Sequence, residues 1–422
     1  MHSVTNAIPT GTIASIPAKA HAHRALICAA LANSPSTILL SRTSKDIDAT
    51  MDSLRGLGTH VVYENKVVTV TPGPVPAKGN VVPHESGTTL RLLLPVAASI
   101  CNDVDVNAKG RLPDRPLEPM LSEMKAHGVT FSQDKPPFTI TGRLQGGNFS
   151  MVGDVSSQFF SGLLLAAPQI GLSTITATTP LQSSDYVTLT TETMRDFGVE
   201  VEHTLPDTNI NEAFTVPFGA SFIGRDNYQI EGDWSNAAIW MVAAGMTGKP
   251  ITITGMNKNS VQADRRIMQV MIDAGCDVVW DGMNVTVTGR AFKPIHADLE
   301  QMPDMLPVMA ALACSISGES SFIKGARLRL KESDRLIAVA NLVRDLGGTV
   351  REEGDDLYII GSGILKGGHG DCVNDHRLVM AGTLMALISK NPVTLKDSEA
   401  ITKSYPNFFE DWNLLGGDAH GI

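Results

Sequence analysis

Apolar and polar positions along this chain repeat with a long period. A run with helical spacing closes on glycine, and two short β-rich segments follow it. Leu57-Gly58 precedes Val61-Val62-Tyr63 and Val67-Val68-Thr69-Val70, and His127-Gly128 precedes Val129-Thr130-Phe131 and Phe138-Thr139-Ile140. Phe197-Gly198 precedes Val199-Glu200-Val201 and, after a longer loop, Tyr228-Gln229-Ile230. Ala274-Gly275 and Gly347-Gly348 open the same pattern, and a sixth run ends at Leu415-Gly416-Gly417. There the N-terminal segment Thr12–Ile16 is expected to supply a strand and close the chain on itself. Glycine at each helix end is the usual left-handed terminator, and Asn65-Lys66, Gly282 and Gly354-Asp355 read as hairpin turns.

A second set of helices keeps the same period of about 70 residues, too long for a solenoid repeat and suited to a βαβαββ unit. Its predicted starts are Lys19-Ala20, Ser86-Gly87, Ser156-Ser157, Asp233-Trp234, Pro303-Asp304 and Asn374-Asp375. Each opens a run that is apolar nearly all round, which predicts helices buried at the centre of the fold with strands outside. The expected architecture is therefore α/β, with two similar domains of three βαβαββ units each. In other words, it is an inside-out α/β barrel. The C-terminal domain is discontinuous, 1–16 with 230–422, and the N-terminal domain is 17–229. Helix N-termini that converge on a cleft between two such domains would present free amides and partial positive charge to an anion.

Composition narrows the class. A chain of 422 residues, 43% hydrophobic and 18% charged, suits a globular protein of two domains. A net charge of -10 argues against a nucleic-acid partner. No apolar run is long enough to span a membrane, and no signal peptide is expected after Met1. Cys28, Cys101, Cys276, Cys314 and Cys372 show no metal-ligand spacing, which suits reduced thiols in a cytoplasm.

Cations stand where a helix start disfavours them. Lys19 and Arg24 open the first buried run, and Arg377 opens the last. Arg327, Arg329, Lys331 and Arg335 share nine residues with Glu332 and Asp334 ahead of another apolar run. Taken alone, that stretch describes a solvated first turn with Ser333 or Asp334 near a cap. A bound anion would remove the electrostatic conflict at each of these places. Ser156-Ser157-Gln158 suits a phosphate, Gly87 permits close approach to backbone, and Arg111 and Arg115 flank a Pro-bounded loop. Asp304 reads equally as a cap and as a general base. His21 and His23, two apart, do not share a helix face, so a metal is not expected there.

In order, Lys19-x-x-x-His23-Arg24-Ala25-Leu26, Ser86-Gly87-Thr88-Thr89-x-Arg91, Arg115-Pro116-Leu117, Ser156-Ser157-Gln158, Pro303-Asp304, Lys331-Glu332-Ser333-Asp334-Arg335, Asn374-Asp375-His376-Arg377 and Lys403 resemble the 3-phosphoshikimate 1-carboxyvinyltransferases of the enolpyruvyl transferase family. The resemblance implies two domains of three βαβαββ units. It also implies transfer of the carboxyvinyl group of phosphoenolpyruvate to the 5-hydroxyl of shikimate 3-phosphate, without metal or organic cofactor, by a cytoplasmic monomer. By position it gives the shikimate 3-phosphate site Lys19, Ala20, Arg24, Ser156, Ser157, Gln158, Ser183, Asp304, Arg327 and Lys331. The phosphoenolpyruvate site receives Lys19, Gly87, Arg115, Gln158, Arg335, Arg377 and Lys403. Asp304, Glu332, Lys331 and Lys19 are the implied catalytic groups.

Four positions depart from the family's usual residues. Ala20 stands where Ser is usual, Glu85 for Asn, Leu92 for a frequent Pro, and Arg327 where Asn is common. Loss of the Ser hydroxyl removes a substrate bond worth about 1–3 kcal/mol if its partner is charged. Three rival readings compete with this one. The sister transferase acting on a UDP-amino sugar would carry a loop cysteine that is not evident here. A non-catalytic homologue is favoured by Ala20 and opposed by Asp304, Glu332 and Lys331. An RNA-end-processing relative is opposed by the acidic charge.

Overall fold

A computed structural model describes residues 1–207 and 211–422. The chain forms two compact units: Met1–Ile16 with Glu231–Ile422, called the first unit here, and Pro17–Ile230, the second. Ile230 goes with the second unit, one residue past the boundary read from sequence, because its amide donates to Leu39 O.

Among the described residues there are six four-stranded sheets, and all share one pattern. A parallel pair is extended by two antiparallel strands. In the second unit Gly79–His84 pairs in parallel with Asp103–Ala108, which pairs antiparallel with Phe138–Thr141, and that with Thr130–Phe131. The hairpins turn where sequence places them, with positive φ at Asn65, Lys66, Gly282 and Gly354. The helix terminators Gly58, Gly128, Gly198, Gly275, Gly347 and Gly416 all have positive φ as well.

Two strand expectations need correction. The N-terminal segment closes the chain through His2–Val4, which lies between Val393–Lys396 and a further strand after the last helix, Ala419–Gly421. Gly11–Ala14 instead joins Ile251–Thr254 in parallel, in a different sheet. Tyr228–Gln229 is likewise the parallel edge of Ser36–Leu39. The antiparallel partner expected there is Glu212–Val216, paired with Ser173–Ala177 and Glu202–Thr204.

The six nearly all-apolar runs form the central helices. In the second unit these are Lys19–Ala30, Gly87–Ile100 and Ser157–Ile170. In the first they are Trp234–Thr247, Leu306–Ser315 and His376–Ala386. Each unit has its own apolar core around its three helices. Gly162 shows how closely they pack: a Cβ there would stand 2.4 Å from Arg91 O.

Capping is local and legible. Ser86, Ser156, Asp233 and Asp375 each accept a hydrogen bond from an amide in the first turn of their helix. The first turns of all six central helices carry no acidic residue, and Leu306–Ser315 follows a short 3-10 turn, Pro303–Met305, bearing Asp304. The helix starts that sequence marks as favouring anions are thus built. No helix among the described residues is long and apolar enough to cross a membrane.

Candidate active site

The first unit draws five of the sequence-predicted residues into one ionic cluster. Arg335 opens the helix Arg335–Asp345, whose cap is Asp334. Its guanidinium donates from Nε to Asp375 Oδ2 at 2.7 Å, from Nη1 to Asp304 Oδ1 at 2.6 Å and from Nη2 to Glu332 Oε2 at 2.6 Å. Lys331 Nζ is 3.2 Å from Asp304 Oδ1, and Arg377 Nη2 is 3.4 Å from Asp304 Oδ2. Asp375 is fully buried; it also accepts Ser333 Oγ at 3.0 Å and the amide of Arg377 at 3.0 Å. One carboxylate thus ties together the Arg335 guanidinium, Ser333 just ahead of the Arg335 helix and the first turn of the Arg377 helix.

Charge in this cluster sets the ionisation of its members. Burial alone would raise the Asp304 carboxyl, but Lys331, Arg377 and Arg335 outweigh it and hold the group well below the usual carboxylate range. Burial pulls Lys331 down to about 8: Asp304 resists, while Arg327 and Arg335 assist. A lysine poised near neutrality can both give and take a proton. The Asp375 carboxyl is lowered against its own burial by Arg335.

The remaining predicted residues of this unit lie around that cluster in different ways. Lys403 Nζ donates to Asn374 O at 2.8 Å, beside the cap of the Arg377 helix. Its 3-10 segment, Ser398–Lys403, and the following helix Phe408–Leu414 are anchored by Trp412, stacked on Trp240 with ring centroids 5.9 Å apart. Arg327 reaches the cluster as a field acting on Lys331. Arg329 is structural, paired with Asp334 and Asp355.

In the second unit, Lys19 Nζ pairs with Asp46 Oδ2 at 2.7 Å, so a carboxylate of the protein answers the cation at that helix start. Arg24 is buried and donates to Thr190 Oγ1, Ala20 O, Ser161 Oγ and Tyr186 O. Gln158 joins two neighbours: Arg91 Nη1 donates to its Oε1 at 3.1 Å, and its Nε2 donates to Thr88 Oγ1 at 2.9 Å. Arg91 also donates to Pro116 O, next to Arg115. Gly87 lies against Arg115: a Cβ there would be 2.6 Å from Arg115 Nη1. Ser156, Ser157 and Ser183 are buried, and Ser183 holds a left-handed φ of 55°.

Some participants escape a reading of the sequence. Asp375 is visible as part of Asn374-Asp375-His376-Arg377, but its grip on Arg335 spans forty residues of chain. Asp264, among charged neighbours in sequence, is buried and accepts the Ser235 hydroxyl. Burial pushes its carboxyl up to about 6, opposed by Arg377 and helped by Asp304. Asp46 carries no signal beyond its charge, and Arg91 is visible only as the last residue of Ser86-Gly87-Thr88-Thr89-x-Arg91. Of the two histidines of the first helix, His21 Nε2 bonds the Tyr228 hydroxyl and His23 Nδ1 bonds the Thr50 hydroxyl. Among the described residues no group of three or more His, Cys, Asp or Glu could hold a metal ion, and the five cysteines are free and buried.

A family model described as EPSP synthase (3-phosphoshikimate 1-carboxyvinyltransferase) matches residues 7–412. The chain is 36% identical over 413 residues to the 3-phosphoshikimate 1-carboxyvinyltransferase of Clostridium kluyveri, covering 97% of this chain and 95% of that one. It is 35% identical over 418 residues to the enzyme of that name from Methanocorpusculum labreanum, covering 97% of each. Among solved structures, EPSP synthase from Acinetobacter baumannii superposes with a TM-score of 0.81 at 23% identity, covering 100% of this chain and 99% of that one, a likeness of fold. The inside-out two-unit architecture and a family match over nearly its whole length agree: the chain belongs to the EPSP synthase family.

Proposed function

We propose that this protein transfers the enolpyruvyl group of phosphoenolpyruvate to the 5-hydroxyl of shikimate 3-phosphate and releases inorganic phosphate. The observation that carries the reading is the cluster of Asp304, Lys331, Glu332, Arg335 and Arg377, which combines anion-binding cations with groups able to move protons. In the addition, the 5-oxygen bonds C2 of phosphoenolpyruvate, the hydroxyl proton leaves and C3 gains a proton. In the elimination, the C2–phosphate oxygen bond breaks and the methyl carbon loses a proton, restoring the vinyl group. Asp304 receives the hydroxyl proton, Lys331 and Glu332 serve C3, and Lys19 assists the departing phosphate.

Phosphoenolpyruvate is held by Lys19, Gly87, Arg115, Gln158, Arg335, Arg377 and Lys403, whose forks and amides suit a carboxylate and a phosphate. Ser156, Ser157 and Ser183 take the phosphate of shikimate 3-phosphate, and Arg24 its carboxylate. Gln158, Asp304, Lys331, Lys19 and Arg327 serve the ring side, near Ala20. For Arg24 this role requires the guanidinium to release a protein acceptor, of which Ala20 O is the nearest in sequence. The reading includes a monomer in the cytoplasm, and the chemistry, with no change of oxidation state, calls for no cofactor.

The test is Asp304→Ala. It should still bind shikimate 3-phosphate by calorimetry and lose turnover. Retained turnover would remove Asp304 from the mechanism. Phosphate release with a UDP-amino sugar instead of shikimate 3-phosphate would reassign the acceptor.

A further inference from the structure

Arg335 has partners of two kinds. Asp375, at 0% exposure, grips the Nε edge at 2.7 Å, with a longer contact of 3.3 Å to Nη2, and is itself fixed by Ser333 and by the amide of Arg377. Asp304 and Glu332 hold the two terminal nitrogens, and their side chains are 19% and 26% exposed. Asp304 also faces the terminal nitrogen of Arg377. These terminal nitrogens are what a bidentate carboxylate or phosphate requires. One partner is therefore an anchor, and the other two carboxylates stand where an incoming anion would bind.

We propose that Asp304 and Glu332 are resident anions on the arginine edges that phosphoenolpyruvate takes, so that the substrate enters by anion exchange and frees Asp304 to act as a base. The inference rests on the function proposed above. As phosphoenolpyruvate takes Arg335 Nη1 and Nη2 and Arg377 Nη2, Asp304 keeps Lys331 as its cation, while Asp375 keeps Arg335 in place.

The exchange alters the basicity of Asp304. The charged groups acting on it are Lys331, Glu332 and Arg335 from the loop and helix start after residue 330, Arg377 from the helix His376–Ala386, and Asp264 from the 3-10 turn Ala263–Arg266. The cations among them hold Asp304 well below the usual carboxylate range, which makes it a poor base. Sharing two arginines with a polyanionic substrate lets its affinity for a proton rise. Base strength then arrives together with the substrate, and the cations at these helix starts have a carboxylate of the protein as partner until it does.

Phosphoenolpyruvate binding is measured by calorimetry on the full-length protein with 5-deoxyshikimate 3-phosphate present. This acceptor lacks the attacking hydroxyl, so no turnover occurs. Titrations in two buffers of different ionisation enthalpy give the protons taken up. Wild type should take up protons on binding, and Asp304→Asn should take up fewer and bind about tenfold more tightly. The substrate's own phosphate ionises in both proteins and cancels in the difference. Glu332→Gln should also tighten binding, which keeps the test decisive if Asp304→Asn fails to fold. Equal or weaker binding by the folded variants would overturn the exchange. Tighter binding with unchanged proton uptake would support the exchange and overturn the gain in basicity. If wild type forms no product from shikimate 3-phosphate and phosphoenolpyruvate, the proposed function itself has failed.

Discussion

Arg335 Nε donates to Asp375 Oδ2 at 2.7 Å, and both side chains are sealed from solvent, at 1% and 0% exposure. Removing one partner of such a pair leaves a buried, uncompensated charge, which costs about 3–5 kcal/mol. We expect Asp375→Ala to lose stability on that scale in denaturant unfolding. The double variant Asp375→Ala with Arg335→Met should recover much of the loss. Full stability in Asp375→Ala alone would mean that the pair does not anchor the cluster.

Lys331 should give the activity an alkaline limit. Its ammonium is held down to about 8 by burial, so its charged form is lost as pH rises through that value. If protonated Lys331 supplies C3, kcat/KM for phosphoenolpyruvate should fall above about pH 8. Lys331→Arg should move the decline to higher pH, and Lys331→Met should lower kcat by about 10²–10⁴-fold. An unmoved limb in Lys331→Arg would assign it to another group.

Gly87→Ala separates binding from folding. The backbone there needs no left-handed conformation, and the atoms nearest to the new methyl are all at the end of the Arg115 side chain, the closest at 2.6 Å. Arg115 can swing away, so unfolding free energy should stay within about 0.5 kcal/mol of wild type. The displaced guanidinium should raise KM for phosphoenolpyruvate about tenfold or more, as misplaced binding groups do. An unchanged KM would take Arg115 out of the substrate site.

His21 should make the fold acid-sensitive. Burial lowers its imidazole to about 4, below the ordinary 6.5, against the pull of Asp196. The unfolded chain therefore binds the proton first, and stability falls as pH drops from 6.5 towards 4. For this group the loss reaches about 3 kcal/mol at most. His21→Gln should flatten that part of a stability profile measured by denaturant unfolding between pH 7 and 4.5. A parallel profile in the variant would exclude His21 as the cause.

Much of the fold is legible in the sequence because its signals are local. Glycine terminators, hairpin turns and capping residues mark the repeat within a few residues of each helix end. Glu212–Val216 is hidden because a polar stretch of sequence precedes it, and the role of His2–Val4 depends on strands nearly four hundred residues away. The site divides the same way. Lysines and arginines at helix starts signal an anion, but sequence does not say whose. For Lys19 the structure gives Asp46, and for Arg335 it gives Asp304, Glu332 and Asp375. Arg24 shows the limit most plainly, because Thr190, Ser161 and the carbonyl of Tyr186 converge on it from distant segments.

The most direct measurement mixes purified protein with shikimate 3-phosphate and phosphoenolpyruvate, without added metal, and follows inorganic phosphate. Release that requires both substrates, matched by an enolpyruvyl ether of shikimate 3-phosphate, is expected. No release from a folded protein, or release from phosphoenolpyruvate alone, would contradict enolpyruvyl transfer.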